Sequence, residues 1–383
     1  MSNHVYVQGT GMIKFGRYPE RSIEDIGAEA VFLALADCGL EINDMQALYC
    51  GDCMGANANP GQRILKYVGQ TGIPVVNVAN ACATGATAFR EGWMAIKAGE
   101  HDIVLVLGME KMGSGLLGGG GKPDTIPTEG LLGSQTMPAV FAEAGSVHSA
   151  KYGTTFAQFA KVSVKNHQHA MLNPLARYQV ETPLEEVMSA EMISYPNTKL
   201  MCSVNVDGAA AAVLVSEKKA RELGMRRAVK VLASVLVTDP YEPRNPTMWD
   251  FNTCTRNAAQ LAYEKAGLGP KDLDLVELHD CFATAELLHY ENLGLCKEGE
   301  AGRLIDNGDV WAGGRIPVNL SGGLLSKGHP IGATGVANIY EITQHLRGEA
   351  GARQRAGAKI GLTHVVGLGT CCGIHIFEKP SVA

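Results

Sequence analysis

The stretch Pro74-Val75-Val76-Asn77-Val78-Ala79-Asn80-Ala81-Cys82-Ala83-Thr84-Gly85-Ala86-Thr87 decides how this chain is read. It gives a short apolar strand, a sharp turn, and the start of a helix built from small residues. Cys82 stands on the turn and faces the helix N-terminus, where unpaired N–H groups and the helix dipole favour a thiolate. A second stretch, Gly328-His329-Pro330-Ile331-Gly332-Ala333-Thr334-Gly335, repeats part of it. Gly85-Ala86-Thr87 recurs as Gly332-Ala333-Thr334 at a shift of 247 positions, and the same shift carries Cys82 onto His329. A candidate nucleophile and a candidate base thus occupy matching places in two internal copies.

Two further segments support a duplication. Ala34 to Cys53 and Leu261 to Cys281 each read as a helix, a glycine stop, an Asp-bearing turn, an apolar strand and an Asp-Cys pair. Gly39, Asp52 and Cys53 recur at one common shift as Gly267, Asp280 and Cys281. That shift is shorter than the one relating Cys82 to His329, so the second copy carries extra residues, expected near Gly299–Arg315. The spacing is too long for a solenoid and points to two homologous α/β halves.

Composition sets the bounds. With 383 residues, 46% hydrophobic and 19% charged, the chain reads as a soluble globular protein of two to three domains. A net charge of −6 argues against nucleic acid as the main partner. No apolar run approaches the ~20 residues of a membrane span. The start, Met1 to Val7, has neither the basic nor the apolar region of a secretory signal, and Ser381-Val382-Ala383 is not a Ser-Lys-Leu ending. Ten cysteines in such a chain read as reduced thiols, and a cytoplasmic location is the expectation.

Residues 1–117 alternate strands (Val5–Val7, Ala47–Tyr49, Pro74–Val78, Ile103–Leu107) with helices (Ile23–Asp37, Gly85–Ala98), an α/β pattern with a largely parallel sheet. Residues 118–197 change texture and read as a mainly helical insertion with long loops. Residues 198–222 complete the first half through the core element Asp207–Ser216. Residues 223–383 form the second half, with a strand at Lys230–Thr238, helices at Cys254–Lys265, Ala283–Glu291 and Gly335–Leu346, a strand at Leu275–Leu278, and a closing strand pair between Lys359 and Glu378.

Four cysteine or histidine sites could carry chemistry: Cys82, His279-Asp280-Cys281-Phe282, Gly328-His329-Pro330, and His364-Val365-Val366-Gly367-Leu368-Gly369. A thiol attacks only as thiolate and needs a neighbouring base, while an oxyanion needs preplaced donors. Other motifs read as structural. Cys50-Gly51-Asp52-Cys53 has metal-ligand spacing but no second pair, and reads as a strand end. Cys371 and Cys372 adjoin on a strand, so they point to opposite faces and read as packing residues. Gly118–Gly121 lacks the Gly-Lys-Ser/Thr ending of a phosphate loop and reads as a flexible loop.

These motifs, together with Gly108-Met109-Glu110-Lys111-Met112, Lys151-Tyr152-Gly153-Thr154, Ser203 to Ala211 and Asn319 to Pro330, resemble the thiolases along essentially the whole chain. Within them the chain is similar to the sterol-carrier-protein-2 type, including acetyl-CoA acetyltransferase-like members and benzoylsuccinyl-CoA thiolase. The resemblance implies two pseudo-equivalent α/β halves in a five-layer α-β-α-β-α sandwich, with residues 118–197 as a loop domain covering the site. It implies Claisen condensation or coenzyme A-dependent cleavage of 3-oxoacyl-CoA, as in β-oxidation. Cys82 would hold the acyl group, His329 would take its proton, and Cys281 would serve as acid/base in place of the C-terminal Cys-x-Gly cysteine, whose position here is His364. His279 and His329 would form one oxyanion hole, and the N–H of Cys82 with the Val366-Gly367 turn the other. Asn319 is grouped with Val366 and Gly367 at the oxyanion site, facing the reacting atoms, and Ser203 is the candidate pantetheine contact.

Coenzyme A and acyl-CoA would be substrates, with no permanently bound cofactor and no metal. The resemblance further implies a homodimer or higher homo-oligomer, and a companion of the OB-fold, zinc-ribbon DUF35 type. Two departures bear on specificity: Leu320 stands where proline is usual, and Thr370-Cys371-Cys372 stands where small residues are common. An acyltransferase to a non-CoA acceptor and a thiolase-like aldolase remain as alternatives. Such aldolases lack the Cys/His set.

Overall fold

A computed structural model of the protein describes residues 4–113, 137–240, 251–367 and 371–380. In chain order the strands and helices are β1 (Val5–Met12), α1 (Ile23–Cys38), β2 (Leu48–Gly51), α2 (Pro60–Val68), β3 (Val75–Val78), α3 (Thr84–Ala98) and β4 (Ile103–Glu110). Then follow α4 (Met137–Tyr152), α5 (Phe156–Ala170), α6 (Leu184–Ser189), the small hairpin β5 (Met192–Ser194) and β6 (Asn197–Thr198), β7 (Gly208–Ser216) and α7 (Glu217–Leu223). The second half holds β8 (Val229–Thr238), α8 (Phe251–Ala266), β9 (Leu275–Glu277), α9 (Ala283–Asn292), α10 (Ala301–Asp306), α11 (Ile331–Arg347), β10 (Ile360–Gly367) and β11 (Cys371–Glu378).

The duplication is visible in strand order. The main sheet runs β3-β2-β4-β7-β1-β8-β11-β10-β9. Outward from the β1–β8 junction, each half gives the same series. β1 is antiparallel to β7, β7 antiparallel to β4, and β4 parallel to β2. Likewise β8 is antiparallel to β11, β11 antiparallel to β10, and β10 parallel to β9. A parallel bridge from Val276 to Val318 takes the place that β3 holds in the first half.

Layering follows from side-chain size. β1, β4 and β7 are buried along their whole length, so helices must cover both faces. β7 meets this with the run Ala209-Ala210-Ala211-Ala212. On the outside, α1 lies directly on β1, where a Cβ at Gly11 would sit 2.4 Å from the Ala34 nitrogen. The helix is fixed by Ser22, whose hydroxyl accepts the Asp25 N–H at 3.1 Å, and by Gly39 in the left-handed region. On the far side α8 covers β8 and β11. Between the two halves lie α3 and α11, each in contact with strands of both.

The repeated Gly-Ala-Thr segments are the contact between these central helices. A Cβ on Gly335 would come 2.2 Å from the Ala86 nitrogen, and one on Gly85 would come 2.8 Å from the Gly332 carbonyl oxygen. Glycine at these places lets two helix N-termini, and the turns before them, meet back to back. The repeat that relates Cys82 to His329 in sequence therefore also brings them together in space.

The extra residues of the second copy, near Gly299–Arg315, include α10. It docks the insertion: Gln158 on α5 donates to Asp306 at 2.7 Å, and Lys161 pairs with the same carboxylate. The glycine-rich run Gly118–Gly121 lies outside the described residues.

Candidate active site

Cys82 occupies the turn from β3 into α3. Ala81 before it has φ 47°, the left-handed region that residues with a Cβ rarely enter. The turn is held from both sides. The Asn80 N–H donates to Thr84 Oγ1 at 2.7 Å, Thr84 Oγ1 donates to the Ala81 carbonyl at 2.6 Å, and the Ala83 N–H returns to the Asn80 carbonyl at 3.0 Å. Such a turn presses the thiol forward at the first turn of α3.

His329 occupies the corresponding turn before α11. Its Nε2 is 3.3 Å from Cys82 Sγ, and both residues are buried. Burial lowers the His329 pKa to about 3, so the imidazole stays neutral. Its Nδ1 lies 2.7 Å from Thr334 Oγ1.

His279 and Cys281 follow β9, where that strand passes into α9. The His279 ring centroid is 5.2 Å from that of His329. The Val366 N–H points at His279 Nδ1 at 3.4 Å. A nitrogen that accepts carries no proton, so the ring proton belongs on Nε2, a buried atom with no hydrogen-bond partner. His279 thus offers a preplaced N–H donor. This modifies the expectation for the Val366-Gly367 turn: Val366 acts on His279 instead of on an oxyanion directly.

Cys281 is buried, and its thiol is pushed well above the usual value by desolvation first, then by the neighbouring Cys82 and Asp280. It therefore rests as a protonated thiol. Asp280 points away from it. It accepts the Leu324 and Leu325 N–H groups and the Asn166 amide at 2.7 Å.

Asn319 departs from the expectation that it faces the reacting atoms. Its Oδ1 accepts the Leu278 N–H at 2.8 Å and its amide donates to Glu286 at 2.9 Å. With both ends engaged and φ at 55°, it fixes the strand end that carries His279. Glu286 in turn pairs with Lys165 of α5 at 2.8 Å, both fully buried. The insertion is bolted beneath the site through this pair. Ser203 is half-buried, and its N–H donates to the Cys281 carbonyl at 2.9 Å, which puts it beside the second thiol.

His364 lies behind His279, with Nδ1 accepting the His279 N–H at 3.4 Å and its ring 4.4 Å from His289. It supports His279 from the far side. Cys372 belongs to the large core of the second half, while Cys371 packs in the small cluster with Cys82 and directs its thiol to Asn80 Oδ1 at 3.2 Å. The two do face opposite ways, but Cys371 braces the turn that presents Cys82. Cys50 and Cys53 fall in different apolar clusters and do not converge.

Cys82, His279 and His329 have donor atoms all within 4.8 Å of one another, a separation a metal ion could bridge. The surroundings do not suit one. A ligating histidine normally donates its other N–H to an acceptor, whereas His279 meets a donor there. The set is better arranged for proton transfer, with a thiol beside a bare ring nitrogen, a second ring presenting N–H, and a second, protonated thiol.

Thr334 and Thr84 are the functional residues that motif reading does not single out. Thr334 was available as the partner of Thr87 in the repeat, but a repeated threonine at a helix start carries no sign of what its hydroxyl holds.

Comparison with known proteins identifies the family. The family described as Thiolase, N-terminal domain matches residues 5–189, and that described as Thiolase C-terminal domain-like matches residues 244–378. "Sterol carrier protein 2" of Oryctolagus cuniculus is 42% identical over 98% of this chain and 72% of its own length. "Acetyl-CoA acetyltransferase" of Methanothermobacter thermautotrophicus is 39% identical over 98% of this chain and 99% of its own. Among solved structures, "Ltp2-ChsH2(DUF35) aldolase" shares the fold with a TM-score of 0.84, at 24% identity and 99% coverage of both chains. Similarity in both halves and over the full length shows that the chain belongs to the thiolase family and is an acyltransferase.

Proposed function

We propose that the enzyme cleaves or forms 3-oxoacyl-CoA thioesters through an acyl group carried on Cys82. The 3.3 Å approach of a neutral His329 Nε2 to Cys82 Sγ carries this reading. In cleavage, Cys82 sulfur attacks the 3-carbonyl carbon and its proton passes to His329. The C2–C3 bond breaks, its electrons enter the thioester enolate, and His279 Nε2–H is placed to donate to the enolate oxygen. Cys281 gives its proton to C2, and the shortened acyl-CoA departs. Incoming CoA-SH returns a proton to Cys281 as its thiolate attacks the Cys82 acyl group. Cys82 leaves as thiolate and takes its proton back from His329. Condensation is the reverse. A thiol that rests protonated suits Cys281 to the donor role in cleavage.

CoA and acyl-CoA enter this scheme as substrates, with Ser203 as the pantetheine contact. Two associations belong to the same proposal. β3 is the edge strand of the main sheet, and Val76 on it, Tyr67 and Met94 are exposed, which supports pairing with a second copy across this edge. The fold shared with a DUF35-associated aldolase supports a companion of that type. Among the described residues no helix is long and apolar enough to cross a membrane, and the free cysteines fit a reducing compartment such as the cytoplasm. The test is thiolysis of a chain-length series of 3-oxoacyl-CoAs with added CoA. The proposal expects two shorter acyl-CoAs in equal amounts. Cleavage of 3-hydroxy side-chain CoA esters to a carbonyl fragment, with no CoA consumed, would favour an aldolase instead.

A further inference from the structure

We infer that Thr334 is a positioning residue that sets which nitrogen of His329 carries the proton, and so makes His329 a base toward Cys82. The inference rests on the proposed acylation of Cys82 assisted by His329. Thr334 Oγ1 has two close polar neighbours, the Pro330 carbonyl oxygen at 3.1 Å and His329 Nδ1 at 2.7 Å. A hydroxyl has one proton, and a carbonyl can only accept. For both contacts to be hydrogen bonds, the proton goes to the Pro330 carbonyl, and the His329 contact then has Nδ1 as donor. A neutral imidazole has one N–H, so Nε2 is left bare, and Nε2 is the atom 3.3 Å from Cys82 Sγ. With the opposite tautomer, an N–H would face the thiol and no lone pair would be there to receive its proton.

The first copy of the repeat holds the same device. Thr87 Oγ1 donates to the Ala83 carbonyl at 2.9 Å, four residues back as in the second copy, and accepts the Asn80 amide at 3.0 Å. In each copy the helix-start threonine uses its proton on its own first turn and then acts as an obligate acceptor for a side chain of the preceding loop. In the first copy that side chain steadies the Cys82 turn. In the second it is the imidazole itself. His279, whose Nδ1 meets the Val366 N–H, is held in the opposite tautomer. One ring is thereby fixed to accept a proton and its neighbour to donate one.

The test compares Thr334→Val, which keeps the shape and removes the hydroxyl, with Thr334→Ser, which restores it, and with His329→Ala as reference. The measured quantities are the single-turnover rate of acyl transfer from acetoacetyl-CoA to Cys82, the KM for that substrate, and the 15N shifts of the His329 ring. The expected result for Thr334→Val is an acylation rate lower by about 10- to 100-fold with little change in KM, and a mixture of ring tautomers. Thr334→Ser should recover to within about threefold, since the same oxygen is present. If Thr334→Val acylates at the normal rate while His329→Ala does not, the role of Thr334 is wrong and the base assignment stands. If His329→Ala also acylates normally, the base assignment itself fails. Should the valine variant not fold, the 15N spectrum of the unaltered enzyme decides: a proton on Nδ1 upholds the inference, and a proton on Nε2 overturns it.

Discussion

The Cys82 turn and the His329 turn are two copies of one piece of structure with opposite chemistry. Each precedes a central helix that opens on Gly-Ala-Thr, and each has a threonine bonded to the carbonyl four residues before it. The tips carry different chemistry, and around them Ala81, Ala83 and Thr84 are matched by Gly328, Pro330 and Ile331. The first turn is strained at Ala81 and bound tightly by Thr84, because a nucleophile must be pushed toward its target. The matching position of the second turn is Gly328, with φ 117°, and glycine enters positive φ without the penalty a Cβ brings. Duplication supplies two facing scaffolds, and divergence at their tips supplies the reacting pair.

The largest effect is expected at the tip of the first turn. Cys82→Ser should abolish turnover while unfolding by heat or denaturant stays near that of the parent, which product analysis and calorimetry would check. Turnover of the variant would break the contrast between the two turns. Next comes Cys281→Ala. It should still accept an acyl group from acyl-CoA on Cys82, because that half-reaction uses only the two facing turns. Carbon–carbon cleavage and exchange of α-hydrogens with deuterated water should fall about 10²–10⁴-fold. If exchange survives there but is lost on altering His364 or Cys371, the second thiol has been misassigned.

The scaffold contact offers a third way to sharpen the comparison. Gly335→Val drives a side chain into the Ala86 backbone, where there is no room, and should cost about 1–3 kcal/mol or more of stability together with a loss of acylation. Loss of acylation without loss of stability would show that alignment of the turns, more than packing, depends on this contact.

The smallest expected effect is a pH dependence of stability. Glu110, on β4, accepts the N–H of Gly332 on α11 at 3.0 Å and that of Cys53 at 3.0 Å. Burial, and then the Asp52 carboxylate, raise its pKa to about 8. A carboxyl with a folded pKa above its unfolded value near 4.5 holds its proton more tightly when folded. The stability it adds is present below about pH 4.5 and is lost as pH rises toward about 8. Glu110→Gln mimics the protonated form, so denaturation midpoints measured from pH 5 to 8 should fall less steeply than in the parent. An unchanged slope would remove Glu110 as the cause.

Much of this was legible in the sequence because it rests on spacing. Cys82, His329 and the shared Gly-Ala-Thr follow from one shift, and β4 and β7 announce themselves as long apolar or small-residue runs, while Gln8 and Thr10 hide the second part of β1. α2 is harder to see, since a proline and a glycine open it and only Ile64, Leu65 and Val68 mark its buried side. The site's fine structure is not a matter of spacing at all. Asn319 sits in the expected motif, yet its amide is committed to Glu286 and Leu278, and only the packed loop reveals this. The opposed tautomers of His279 and His329 depend on a backbone N–H and a hydroxyl placed within a few tenths of an ångström, which no pattern of residue types encodes.

The most direct test of the central claim is the mass of the Cys82 peptide after brief incubation with acetoacetyl-CoA in the absence of added CoA. The account predicts one acyl group on that peptide in the parent enzyme and a strongly slowed gain in His329→Ala. It predicts an equally slowed gain in Cys281→Ala that is restored when acetyl-CoA, which needs no carbon–carbon cleavage, replaces acetoacetyl-CoA. An acyl group found on another peptide, or acylation of Cys82 at an unchanged rate in His329→Ala, would contradict it.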